Sequence, residues 1–225
     1  MKKGIIFIIL LSLSLPLVFL LTDLDLITFD HDFYEKKYEE YSIPEVTGIE
    51  MKNLRNITSE MLDYLKGKRE DLIMFTEVNG KTEQVFEERE ILHMVDVRDL
   101  FSKGYFARNI MFIIMIVSLG WLIGFQRKSI GKALIISSIW PIVLMAILGV
   151  LMYIDFHKYF TYFHHIFFTN DLWLLDPNTD ILIQMLPLEF FNSIAYKILL
   201  YFCIELFLIL LVGIILNRKT QNKTQ

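Results

Sequence analysis

Residues 133–153 read ALIISSIWPIVLMAILGVLMY, 21 residues without a single charge. A bilayer core takes about 20 helical residues to cross, so this stretch alone reads as a membrane span. Three further stretches are long and predominantly apolar: 4–21, 110–125 (extended by Phe106 and Ala107) and 194–216. Apolar residues make up 54% of the chain and the mean hydropathy is +0.46, as expected of a membrane protein. The predicted organisation is spans at 4–21, 109–126, 133–154 and 194–216. Between them lie segments 22–108, 127–132 and 155–193, followed by a polar, disordered tail at 217–225.

Cations set the orientation. Lys2 and Lys3 precede the first span, Arg127, Lys128 and Lys132 crowd the tight turn between the second and third, and Arg218, Lys219 and Lys223 follow the fourth. The positive-inside rule puts all three places, and with them both termini, in the cytoplasm of a multi-pass cell-membrane protein. Segments 22–108 and 155–193 then face outward. With basic inner rims and a net charge of −4, the acidity gathers in the first outer segment, which argues against nucleic acid as a partner. The first span resembles a signal peptide, but no small-residue cleavage site precedes Asp23-Leu24-Asp25, so an uncleaved anchor is expected.

The first outer segment is long enough for a small domain. Leu54, Ile57, Met61 and Leu65 recur at helical spacing. Asn79-Gly80 is the dipeptide of a tight hairpin turn. Residues 86–103 read as a helix ending at Gly104. The second outer segment is rich in rings (Phe156, Tyr159, Phe160, Tyr162, Phe163, Phe167, Phe168, Trp173) and predicts a re-entrant or surface-lying helix at the headgroup layer. The expected fold is therefore an all-α membrane protein: four transmembrane helices, a small α+β extracytoplasmic domain and an interfacial aromatic-rich helical segment.

Chemistry points to histidine. Its unperturbed pKa of about 6.5 suits acid–base work near neutrality. All five histidines (His31, His93, His157, His164, His165) fall on the outer side. Arg89, His93 and Asp96 share a helical face, so a carboxylate can orient the imidazole; a solvated or structural His93 stays open on spacing alone. His157 and His164 lie seven apart, but the close pairings and completing ligands of a zinc site are missing. The lone Cys203 lies inside the fourth span, where packing is its expected role. No Gly-x-Ser-x-Gly or phosphate-binding loop occurs. Glu205, the main ionisable residue inside the spans, is expected to pair with Ser137 or Ser138.

Two blocks, Glu88-Arg89-Glu90-Ile91-Leu92-His93-Met94-Val95-Asp96-Val97 and Phe163-His164-His165-Ile166-Phe167-Phe168, precede Trp173, Asp176-Pro177-Asn178-Thr179-Asp180 and Leu186-Pro187. In this order and on this topology the chain resembles the lipoprotein intramolecular transacylases, four-span membrane proteins of low-GC Gram-positive bacteria. The resemblance implies transfer of the sn-2 acyl chain of a diacylglyceryl lipoprotein to the α-amine of its N-terminal cysteine, giving the lyso-form lipoprotein. It implies a catalytic pair at His93 and His164, the latter favoured over His165, and neither cofactor nor metal. Asp96, Arg98, Asn170 and Trp173 are the expected substrate-binding residues, with Arg98, Asn170, Trp173 or a backbone N–H as oxyanion donor. Diacylated lipoproteins and membrane lipids are the implied partners. Two other readings compete: a lipid- or lipoprotein-binding sensor without activity, and a metal-dependent membrane hydrolase.

Overall fold

The computed structural model describes residues 2–222, so Lys223 and the end of the tail lie outside the described residues. The elements, in order, are helices α1 (Lys2–Thr28), α2 (His31–Glu40), α3 (Ile43–Thr47) and α4 (Met51–Leu65); strands β1 (Phe75–Val78) and β2 (Lys81–Gln84); then helices α5 (Glu88–Phe125), α6 (Ile130–Phe167), α7 (Ile181–Met185) and α8 (Leu188–Gln221). Four of these helices, α1, α5, α6 and α8, are long and apolar enough to cross a membrane. All four outrun the expected spans, because a helix once nucleated adds one hydrogen bond per residue.

Three boundaries differ from the sequence reading. Helix α5 passes straight through Gly104, where a stop was expected. A mid-helix glycine costs about 1 kcal/mol relative to alanine, too little to break a helix that continues into an apolar run. Helix α8 continues to Gln221, so the residues from Asn217 expected to be disordered extend it. The aromatic-rich segment is not a free-standing helix. It is the second half of α6, set off by a kink at Asp155 (φ −158°, ψ 86°), whose Oδ1 accepts the N–H of Lys158 at 3.0 Å and caps the new start. Helices α2 and α3 had no counterpart in the sequence reading.

The chain falls into two compact units. The first comprises Met1–Asp25, Gly104–Ile154 and Tyr196–Gln225 and holds the apolar spans. Leu11, Leu15, Leu122 and Ala133 form one core there, with Phe7 stacked on Trp121 at 4.4 Å. Met145, Phe202 and Leu206 form another. The outward faces stay apolar (Ile113, Val117, Val143, Leu208), the inverse of a water-soluble bundle. Helices α6 and α8 meet at glycines: a Cβ on Gly131 would lie 2.5 Å from the Asn217 amide nitrogen and 2.8 Å from the Gly213 oxygen. Such small-residue contacts let helices approach closely where no hydrophobic drive operates.

The polar groups of this unit are arranged differently from expectation. Ser137 and Ser138 back-bond to Ala133 and Leu134 of their own helix, so neither partners Glu205. Glu205 stands beside Asp23 of α1 instead. Asp25 takes the Tyr105 hydroxyl and the Arg108 guanidinium, each at 2.9 Å.

The second unit comprises Leu26–Lys103 and Asp155–Ala195. Helix α4 buries Leu54, Ile57, Met61 and Leu65, the periodic set read from the sequence. Asn79 and Gly80 turn the hairpin with φ of 50° and 78°, and Phe75 pairs with Gln84; two successive positive φ values define the type I′ turn that Asn-Gly favours. Tyr38 hydrogen-bonds Thr58 at 2.7 Å, and Tyr34 packs on Phe190. If the Gly131–Gly213 approach sets the α6–α8 contact, Gly131→Leu should destabilise the fold by roughly 1–3 kcal/mol, the usual scale of overpacking. Thermal melting in detergent checks this, with Gly120→Leu, which meets nothing within 4 Å, as the silent control.

Candidate active site

Of the five histidines, His93 and His164 are buried while His31, His157 and His165 are exposed. His93 lies in the second turn of α5. His164 lies in α6 beyond the kink, so both belong to the second unit. Their rings are 6.2 Å apart, centroid to centroid, inclined at 37°. Phe168 stands edge-on to His93 at 5.5 Å. Around His164, Phe160 meets the ring edge-on at 4.5 Å and Trp173 stacks on it at 4.7 Å and 25°. The aromatic run read as an interfacial feature thus also walls the histidine pair.

The hydrogen bonds fix more than position. His164 Nδ1 lies 2.7 Å from the Phe160 carbonyl oxygen. A carbonyl only accepts, so Nδ1 carries the hydrogen and the neutral ring has its lone pair at Nε2. His93 Nδ1 is buried with no hydrogen-bond partner among the described residues. Burial drives the His93 pKa down to about 4, reinforced by His164 and opposed by the Asp96 carboxylate. Burial likewise lowers His164, opposed by its bond to Phe160. Both imidazoles are therefore neutral at pH 7, each able to offer one lone pair and one N–H.

Three of the expected binding residues gather here. Asn170 donates through Nδ2 to Asp96 Oδ2 at 2.8 Å, and its backbone carbonyl accepts the Trp173 indole N–H at 3.0 Å. The Asp96 carboxylate therefore reaches the Trp173 wall through Asn170. Arg98 is turned elsewhere: its guanidinium lies 4.7 Å above the Tyr64 ring and reaches the Glu70 carbonyl oxygen. His165 meets Trp173 edge-on at 5.2 Å from its exposed position. Sequence reasoning missed Glu90, which is 1% exposed and accepts two backbone N–H groups, from Glu87 and Leu182. An acid at the third position of a helix is a capping signal, but only the fold shows it buried. Among the described residues no three His, Cys, Asp or Glu side chains converge as a metal would require.

A four-helix membrane protein with a walled, neutral histidine pair is the class that fold and site define. The family model for the lipoprotein intramolecular transacylase Lit matches residues 9–191. An uncharacterized protein of Aquifex aeolicus is 28% identical over 221 residues, covering 95% of this chain and 98% of its own. The structure of the Lit transacylase of Bacillus cereus superposes with a TM-score of 0.85 at 22% identity, over 98% of both chains. A histidine-to-alanine variant of that protein gives 0.78 at 20% identity, over 98% of this chain and 96% of its own. The chain belongs to the lipoprotein intramolecular transacylase (Lit) family and is a membrane transacylase, which sets aside the sensor without activity.

The neutral pair has a measurable consequence. The folded pKa of His93 lies below the ordinary value, so the unfolded chain takes the proton first as pH falls. The stability linked to neutral His93 is complete above about pH 6.5 and is lost between there and about pH 4. Nitrogen-15 NMR of histidine-labelled protein should show His93 still neutral at pH 5.5. A His93 ring half protonated near pH 6.5 contradicts its burial.

Proposed function

We propose that this enzyme moves the sn-2 acyl chain of a diacylglyceryl lipoprotein to the α-amine of the lipidated N-terminal cysteine. The observation that carries the reading is the walled pair of neutral imidazoles, one with its lone pair fixed at Nε2. Acceptor amine and donor ester belong to one molecule, so the reaction requires no nucleophile from the enzyme. It requires that a proton leave the nitrogen and that one reach the departing alkoxide.

The amine nitrogen attacks the ester carbonyl carbon as its proton passes to His164 Nε2. The tetrahedral oxyanion needs a donor. The Trp173 indole N–H is spent on the Asn170 carbonyl, one of the two Asn170 amide hydrogens is spent on Asp96, and Arg98 faces Tyr64. Neutral His93 still has a ring N–H to give, and we assign it to the oxyanion. Collapse breaks the bond from carbonyl carbon to sn-2 oxygen, and the imidazolium of His164 returns its proton to that oxygen. One N–H and one ester C–O bond are lost; one amide C–N and one O–H bond are gained. Trp173, stacked on the ring, favours the transient imidazolium by cation–π attraction. Holding both groups in register is worth up to roughly 7–11 kcal/mol in ideal intramolecular cases. Asp96, Asn170 and Trp173 form the wall against which the glyceryl-cysteine headgroup docks. With the termini cytoplasmic, as the flanking cations argue, the reaction runs at the outer face, where lipoproteins are displayed.

A defined diacylated lipopeptide, incubated with purified protein in detergent and fragmented by mass spectrometry, tests this. Intramolecular transfer leaves the total mass unchanged and places the acyl group on the cysteine nitrogen, with chelator present or absent. Both His93→Ala and His164→Ala should lower the rate at least a hundredfold, the lower end of the range for acid–base groups of about 10²–10⁴. His165→Ala should retain it. Release of free fatty acid, with loss on chelation, points instead to a metal-dependent hydrolase.

A further inference from the structure

Glu90, about one turn before His93, is a buried carboxylate that the acid–base scheme leaves unused. Its two oxygens serve different elements. Oε2 accepts the N–H of Glu87 at 2.6 Å, the return bond by which an acid in the first turn caps its own helix. Oε1 accepts the N–H of Leu182, also at 2.6 Å, in the first turn of α7. Helix α7 lacks a cap of its own: Asp180 makes no side-chain capping bond, its oxygens being taken by the Asp176 N–H and the Thr179 hydroxyl. The Leu182 N–H is one of the orphan donors of a helix start, and Glu90 satisfies it from across the unit.

Two more bonds join α5 to the same stretch. Arg89 donates to the Asp171 carbonyl at 2.6 Å, and Asp96 accepts from Asn170 at 2.8 Å. Along α5 these attachments bracket His93, with Arg89 and Glu90 about one turn before it and Asp96 one turn after. Between the far attachments, the turn 176–180 is closed on itself by the Asp180 N–H to the Asp176 carbonyl at 2.8 Å. The fastened stretch carries Trp173, whose indole lies flat on His164.

We propose that Glu90 is the positioning residue of the histidine pair: its buried carboxylate fastens segment 168–182 to α5 and so holds Trp173 against His164 in register with His93. This inference rests on the acyl-transfer reading for its effect on rate, but not for its effect on geometry. The carboxylate is required because only it presents two acceptor oxygens. A glutamine would turn an NH₂ donor toward one of the two N–H groups and leave that bond unmade.

The experiment compares Glu90→Gln with Glu88→Gln, the same change of charge at an exposed position two residues earlier. Turnover of the diacylated lipopeptide and proton NMR of the His164 ring are measured on both. A stacked indole shifts the protons of the ring beneath it upfield. Glu90→Gln should lower kcat roughly tenfold to a hundredfold, the cost of a broken buried charged hydrogen bond, with KM within about twofold. The upfield shift should shrink with it, and Glu88→Gln should match the wild type in both. An unchanged kcat, or a kcat loss with the His164 shift intact, overturns the proposal. If wild-type protein makes no lyso product while Glu90→Gln still releases the ring shift, the fastening stands and the transfer reading fails. Should Glu90→Gln not fold, amide hydrogen exchange of the wild type decides. A Leu182 amide exchanging far more slowly than that of Ile181 supports the bond, and equal rates overturn it.

Discussion

Hydrocarbon offers no partner for a peptide N–H or C=O, and that constraint shapes this protein. A chain crossing a bilayer must satisfy its backbone internally, and the single-segment solution is a helix. The consequence is visible in what fails to interrupt α1 and α6: Pro16 and Pro141 both lie inside them. Helices built under that demand do not end where the apolar run ends. Helix α5 starts well before its apolar stretch and α6 continues well past its own, and the two histidines ride on those extensions. The histidine pair is thus carried on regular helices, which suits chemistry that depends on the register of two groups.

Burial then selects the chemistry. An imidazole in water near neutrality divides between charged and neutral forms. The pair at His93 and His164 is withdrawn from water behind Phe160, Phe168 and Trp173, and both members are held neutral. The Phe160 carbonyl completes the assignment by fixing the tautomer of His164. A neutral pair can take a proton at one ring and donate from the other without first losing charge, as the proposed transfer requires. Asp96, Asn170 and Trp173 are tied to one another by hydrogen bonds.

The spans keep their own polar economy. The Asp23 and Glu205 carboxyl groups stand beside each other, and Asp25 is matched by Arg108. Charges inside a membrane persist only when paired, protonated or wet, and Asp25 and Arg108 are paired. The serines nearest to hand bond backwards into their own helix because a Ser hydroxyl reaches the carbonyl four residues earlier more easily than a neighbour's side chain.

Hydropathy by itself determined the four spanning helices, since a long apolar run without the alternation of a barrel strand satisfies its backbone in a bilayer as a helix. Local chemistry determined helix α4 from its periodic Leu54, Ile57, Met61 and Leu65, and the hairpin from Asn79-Gly80. Motif resemblance pointed to His93 and His164, but spacing could not separate His164 from His165. The fold buries His164 and leaves His165 exposed. Tertiary structure alone turned Arg98 away to Tyr64, joined Asp96 to Asn170, and brought Glu90 onto a backbone group 92 residues distant. The reason is common to all of these. Periodicity and composition report what a segment buries, whereas which buried groups meet depends on contacts between segments far apart in the chain. No local pattern encodes the partner of a carboxylate whose donor is a backbone N–H that every residue type but proline can supply.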